Sequence, residues 1–340
     1  MSDASEVPDT DSGTEPTEGY SPPDGGGQPD GPLGPGNDGA EVGAWLAYFM
    51  YRALGTAMQK LPEVVAAAAA SVVASVLSVF SAKARAMYGR HLRRVLGPDL
   101  SDAELRATTR RAFLNYGRYW FEGARLPALG RDVIEDRFMV ESGWEHLVSG
   151  MEAGNGVIMA LPHIGSWEWG GAWLALQGYP MTSVAEPLKP PAMYDWFVSQ
   201  REAMGLSIVP LGADASRVLL RTLRAGKLVG LLCDRDIVGN GIDVEFFGER
   251  TTMPAGPAML ALRTGALVLP TAVYSGPGLL HSAVIMAPVD AQRRGGLRQD
   301  VARVTQLIAD DLELLIRRAP EQWHLFQPNW PSDAAPGSSG

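Results

Sequence analysis

From residue 156 to residue 318, short apolar runs alternate with longer segments of helical period, and that alternation restricts the chain to an α/β fold. Strands are expected at 156–160, 181–185, 206–211, 227–233, 242–247, 266–274 and 280–286, and helices at 191–204, 213–224, 255–263 and 297–318. The pattern predicts one α/β domain, with a central, mostly parallel or mixed sheet flanked by helices and its core in residues 128–330. Polar residues gather where the expected strands end. Glu186 closes one strand, and Asp234, Arg235 and Asp236 follow Cys233 directly. Ligands of α/β sheets collect outside the carboxyl ends of strands, so these groups are candidates for a shared site.

The run Leu161-Pro162-His163-Ile164-Gly165-Ser166-Trp167-Glu168 stands at such a strand end. It delivers a histidine and then a carboxylate into a strand-to-helix turn, a usual place for general-base chemistry. Five residues turn an ideal helix by about 500°, so His163 and Glu168 share no helical face and meet only if a turn intervenes. Pro162 and Gly165 supply turn residues, and Ser166 has the chemistry of an N-cap for a helix starting at Trp167. Of the five histidines, only His163 has an acidic residue five positions on.

Charge and composition divide the rest. The first 41 residues hold ten Asp or Glu and no Lys or Arg, which leaves residues 42–340 near neutral at 29 basic against 28 acidic. Residues 1–41, rich in Pro, Gly and Ser, are expected to be a disordered acidic tail, and residues 331–340 read the same way. A neutral body lacks the positive excess that nucleic-acid binding needs. The single cysteine, Cys233, excludes an internal disulfide and reads as a small strand residue more readily than as a nucleophile. No cysteine or histidine cluster has metal-ligand spacing, and no glycine-rich phosphate loop is present, so the reaction is expected to need no cofactor and no metal.

Residues 42–127 read as a helical, membrane-associating region preceding the domain. Residues 43–61 carry Trp45, Tyr48, Phe49, Leu54 and Met58 at roughly helical spacing, and Pro62 ends that helix and opens the next. Residues 64–82 are uncharged and nominally long enough to span a bilayer, but seven are Ala and four are Ser. Val72, Val73, Val76, Leu77 and Phe80 fall on one face and Ser71, Ser75 and Ser78 on another, which favours a helix lying on a membrane or packed on the domain. Eleven basic against four acidic residues between Lys83 and Arg131, including Arg90, Arg93, Arg94, Arg110 and Arg111, suit an anionic surface.

The motif His163-Ile164-Gly165-Ser166-Trp167-Glu168 resembles the H-x-x-x-x-D/E motif of the membrane glycerolipid and lipid A acyltransferases. Phe246-Phe247-Gly248 with Met253-Pro254-Ala255-Gly256-Pro257 is similar to their second block. Arg118-Tyr119-Trp120-Phe121-Glu122, Glu186-Pro187-Leu188-Lys189-Pro190, Asp234-Arg235-Asp236 and Pro320-Glu321-Gln322-Trp323-His324 resemble stretches of the phosphatidylinositol mannoside acyltransferase branch of that superfamily. The likeness runs from about Trp45 to Trp330. It departs in Glu168, where that branch ends its motif in Asp, and in Asp234, where it has Glu.

The resemblance implies a glycerolipid acyltransferase-like fold and transfer of a long-chain acyl group, palmitoyl, from acyl-CoA as co-substrate to the mannose 6-hydroxyl of a phosphatidylinositol mannoside. It implies a peripheral enzyme at the cytoplasmic face of the plasma (inner) membrane. His163 would act as general base with Glu168 as its partner, Glu186 and Asp234 would bind sugar hydroxyls, and Arg201 and Arg235 would meet a phosphate. An apolar groove near Trp167, Trp169 and Phe246 would take the acyl chain, although such aromatics serve equally well as core. The residues themselves leave open another glycolipid or lysophospholipid acceptor, or a lipid-binding protein in which His163 and Glu168 are idle.

Overall fold

Why residues 156–285 alternate in hydrophobicity is plain in the computed structural model, which describes residues 38–333, with side chains from Gly43. In chain order the helices are α1 (Asp38–Lys60), α2 (Glu63–Phe80), α3 (Ala82–Leu96), α4 (Asp102–Arg125) and α5 (Arg131–Asp136). The α/β core follows as β1 (Phe138–Ser142), α6 (Trp144–Glu152), β2 (Val157–Leu161), α7 (Trp167–Leu176), β3 (Met181–Ala185), α8 (Pro191–Ala203) and β4 (Ser207–Pro210). Next come α9 (Ala215–Arg224), β5 (Leu228–Leu232), β6 (Ile242–Phe246), β7 (Glu249–Met253), α10 (Gly256–Thr264), β8 (Leu267–Ser275), β9 (His281–Ile285) and α11 (Leu297–Arg318).

Seven strands form one sheet in the order β1-β9-β8-β2-β5-β3-β4, parallel throughout except for the β8–β9 pair. The chain is thus a single α/β domain with a mostly parallel sheet. Strand β2 is buried along its whole length because helices cover both faces. Ile158 and Ala160 point into the core shared with α9, α10 and α11, while Val157, Met159 and Leu161 point to the opposite side against Leu147 of α6 and Leu174 of α7. Strands β6 and β7 make a separate antiparallel hairpin, whose turn residues Phe247 and Gly248 both have positive φ, 52° and 75°.

Helix α2 packs against α4 through its small residues, not its large ones. Ala66, Ala74 and Ser78 are buried, and Gly117 of α4 lies so close that an added Cβ would come within 2.6 Å of the Ala74 methyl. The valines are turned outward: Val72 is 63% exposed, Val76 49% and Phe80 80%. The hydroxyls of Ser71 and Ser75 donate to backbone carbonyls one turn back, so the helix exposes little unpaired polarity. By length and composition α2 is long and apolar enough to cross a membrane.

Several expected features are corrected. Helix α1 begins at Asp38, inside the stretch expected to be disordered, and residues 1–37 lie outside the described residues. Pro331–Asp333 form a 3-10 turn with the Asp333 side chain fully buried, so no disordered tail starts at 331; residues 334–340 lie outside the described residues. The arginines of α3 are largely committed within the protein. Arg93 pairs with Asp102 at 2.8 Å, and Arg94 pairs with Glu249 at 2.7 Å and with Asp333 at 3.0 Å. Arg110 and Arg111 remain exposed.

Candidate active site

Strands β2 and β5 are parallel neighbours, with Leu161 opposite Leu232. The Cys233 N–H bonds the Leu161 carbonyl at 2.9 Å just beyond, so the same register brings His163 to Asp234. His163 Nδ1 is 2.6 Å from Asp234 Oδ1, and the His163 backbone N–H donates to Asp234 Oδ2 at 3.0 Å. Trp323 Nε1–H donates to that second oxygen at 2.7 Å. Burial of Asp234 drives its carboxyl upward, but the adjacent His163 and the hydrogen bonds from His163 and Trp323 outweigh it and hold the group below the usual carboxylate range. Nδ1–H therefore faces a carboxylate, which leaves Nε2 as the basic nitrogen. The His163 side chain is 21% exposed and that of Asp234 is fully buried.

The partner of His163 is thus Asp234 and not Glu168. Glu168 lies in the first turn of α7, where Oε1 accepts from Tyr119 Oη–H at 2.9 Å and from Arg201 Nη2–H at 3.0 Å. Glu168 is taken up by these two partners and makes no hydrogen bond to the imidazole, so the spacing does not translate into contact. Ser166 also departs from its expected role, because its hydroxyl caps nothing and donates to Glu122 Oε2 at 2.9 Å. Glu122 in turn holds Arg118 at 2.6 Å, which ties α4 to the motif loop. Glu186 is exposed and Arg235 half-buried, both just past strands that run beside β2 or β5. Asp236 is structural, accepting from the Gly239 and Gly241 N–H groups and from the Thr252 hydroxyl.

Gly165 is the hinge of the motif. Its φ is +56°, and a Cβ would fall 1.9 Å from the Val273 carbonyl oxygen, so only glycine fits there. The loop is also stitched to the segment after α11: Gly165 N–H donates to the Gln322 carbonyl at 2.9 Å and His324 N–H to the His163 carbonyl at 2.6 Å. His324 Nε2–H donates to the Gly165 carbonyl at 3.0 Å. Desolvation lowers the His324 ring to about 3, so that ring stays neutral. Cys233 is buried, and desolvation together with Asp234 pushes its thiol far up, which leaves it no nucleophilic role.

Beside the loop, a narrow apolar cavity runs between α7 and the sheet, with Leu161 and Trp167 at the motif and Trp173, Met181 and Ile285 farther in. Of the three aromatics expected near an acyl groove, Trp167 lines this cavity, whose volume of about 20 Å³ is close to that of one water. Trp169 and Phe246 are core residues, 2% and 0% exposed, with Trp169 stacked on His281 and Phe246 on Trp330.

A histidine at a strand end with a buried carboxylate on its Nδ1 is an arrangement suited to proton transfer. Residues 41–332 match the bacterial lipid A biosynthesis acyltransferase family, and the chain belongs to that family as an O-acyltransferase. It is 38% identical over 224 residues to the phosphatidylinositol mannoside acyltransferase of Mycobacterium tuberculosis (strain CDC 1551 / Oshkosh), covering 64% of this chain and 69% of that protein. It is 37% identical over 251 residues to the phosphatidylinositol mannoside acyltransferase of Mycolicibacterium smegmatis (strain ATCC 700084 / mc(2)155), covering 72% and 79%.

Proposed function

We propose that the enzyme transfers a palmitoyl group from acyl-CoA to the mannose 6-hydroxyl of a phosphatidylinositol mannoside, as a peripheral protein at the cytoplasmic face of the plasma (inner) membrane. The observation that carries the reading is the 2.6 Å bond between His163 Nδ1 and Asp234 Oδ1. A sugar hydroxyl is a poor nucleophile near neutral pH. His163 Nε2 takes its proton as the oxygen attacks the thioester carbonyl, a contribution of about 10²–10⁴ in rate. The C–S bond then breaks, and the imidazolium returns the proton to the departing thiolate of coenzyme A. Backbone N–H groups at the start of α7 are the proposed donors to the tetrahedral oxyanion. Glu186 bonds sugar hydroxyls, and Arg235 meets a phosphate of donor or acceptor. Arg201 is engaged by Glu168, so its first duty is to hold that carboxylate, with any phosphate contact secondary. The acyl chain enters beside Trp167, where the apolar cavity of about 20 Å³ has to open to admit it.

Radiolabelled palmitoyl-CoA incubated with purified phosphatidylinositol mannosides tests the reading. Labelled acceptor is expected with the wild type and not with His163→Ala. Free labelled palmitate without labelled acceptor would refute the acceptor assignment.

Membrane attachment follows from exposed apolar surface more than from charge. Trp45, Leu46, Phe49 and Met50 of α1 are 43–66% exposed, and the outward valines of α2 extend the apolar surface. With Arg94 held by Glu249 and buried Asp333, and apolar side chains leading the attachment, cosedimentation with phosphatidylcholine–phosphatidylglycerol vesicles should survive raised salt. The double substitution Val72→Asp/Val76→Asp removes two exposed side chains each worth about 1.5–3 kcal/mol when buried, and should lower the partition coefficient by about tenfold or more. Unchanged sedimentation of that variant would remove α2 from the attachment.

A further inference from the structure

We infer that Trp323 is a positioning residue of the His163–Asp234 pair, its indole N–H fixing which oxygen of Asp234 is left to the imidazole. The inference rests on the acyl-transfer reading above. The two oxygens of Asp234 are used differently. Oδ2 accepts from Trp323 Nε1–H at 2.7 Å and from the His163 backbone N–H at 3.0 Å, whereas among the described residues Oδ1 accepts only from His163 Nδ1 at 2.6 Å. A carboxylate swivels about its terminal bond in a broad, roughly two-fold well. Two donors on one oxygen, arriving from separate parts of the chain, stop that rotation.

Trp323 is itself held firmly. It is 1% exposed, its backbone bridges Ile164, and its ring lies 5.9 Å from that of Phe247 and 5.8 Å from that of His91. The segment that carries it is pinned farther on. Asn329 Nδ2–H donates to the Asp234 carbonyl at 3.2 Å, and buried Asp333 accepts from the Asn329 and Trp330 N–H groups and lies 3.1 Å from His91 Nε2. The indole is therefore presented to Asp234 at a fixed place before any substrate arrives.

A donor on Oδ2 also draws charge toward that oxygen, so its loss changes both the orientation and the charge balance of the carboxylate that faces the imidazole. The other titratable groups around the pair are Cys233 at the end of β5, His324 beside the loop, His91 behind the Trp323 ring, and Tyr119 with the Glu168–Arg201 pair beyond Trp167.

The test is Trp323→Phe compared with Trp330→Phe, which removes an indole of the same aromatic cluster whose N–H donates instead to the Phe246 carbonyl at 3.2 Å. In Trp323→Phe, kcat should fall about tenfold with little change in KM. Trp330→Phe should lower stability and leave kcat nearly unchanged. Equal kcat in the two variants would overturn the inference, as would a change in KM alone. If Trp323→Phe does not fold, the nine indole ¹⁵N–H signals are compared between wild type and Asp234→Asn. One should move upfield while the others stay, and no moving signal overturns the inference. Failure to acylate phosphatidylinositol mannosides strikes the acceptor assignment alone, since thioester hydrolysis at the same base and the indole signals still report on Trp323.

Discussion

Asp234→Asn is expected to lower kcat for acyl transfer by about 10²–10⁴, and Glu168→Gln far less. An amide at position 234 satisfies its neighbours in one orientation. Its oxygen replaces Oδ2 and accepts from Trp323 Nε1–H and the His163 N–H, and its NH₂ replaces Oδ1. That NH₂ then points at His163 Nδ1, which has to act as acceptor. The ring proton moves to Nε2, and the nitrogen facing the substrate no longer takes a proton. The fold should tolerate the exchange, because shape and hydrogen-bond count are nearly kept. Glu168→Gln instead weakens the contacts to Tyr119 and Arg201 and leaves the imidazole tautomer alone. Kinetics of the two variants with the same donor and acceptor, alongside urea denaturation, decide the matter. A larger loss in Glu168→Gln than in Asp234→Asn would return the role of partner to Glu168.

That reversal of partners shows what a sequence reveals of such a site. His163 was legible because a strand signal and turn residues surround it, and Asp234 was legible as a polar residue at a strand end. Their contact was not. It depends on the parallel pairing of β2 with β5, two strands separated by two intervening helix–strand units, and register between distant strands leaves no local mark. Glu168 stands near His163 in the chain, and a spacing argument cannot see that α4 and α8 bring Tyr119 and Arg201 to claim it. Trp323 belongs to a stretch the family resemblance marked, yet its contact lies across 89 residues. The parallel strands of the sheet core were readable because burial on both faces makes them apolar throughout. The edge strand β1, which exposes Met139 and Glu141, and the hairpin strand β7, with the sequence Glu-Arg-Thr-Thr-Met, give no such signal and went unseen. In α2 the bulky side chains suggested the packed or membrane-bound face, whereas close approach to Gly117 selects the alanines for packing and turns the valines out.

Buried neutral histidines make the fold acid-sensitive well above the range where carboxylates titrate. Desolvation lowers the His281 and His324 rings from 6.5 to about 3, and His91 is lowered too, again chiefly by burial. The unfolded chain takes up these protons as pH falls through 6.5 while the folded chain refuses them, so stability is full above that value and declines below it. Between pH 7.5 and 4.5 each of the two most depressed rings removes about 2–3 kcal/mol, together about 5 kcal/mol, a large part of a domain's stability. Glu122 acts in the opposite direction, because burial raises its carboxyl and protonation relieves it as pH falls. Asp234 and Asp333, both held below the usual carboxylate range, add their loss only at lower pH. His281 isolates one share of the effect. Its ring stacks on Trp169 at 4.3 Å and neither nitrogen makes a hydrogen bond, so His281→Phe keeps the packing and deletes the proton site. Urea midpoints measured from pH 7.5 to 4.5 should fall steeply in the wild type and about half as steeply in His281→Phe, with the two proteins similar at pH 7.5. Parallel pH dependences would mean that His281 takes its proton in the folded protein, paired with Glu122 Oε1 at 3.6 Å.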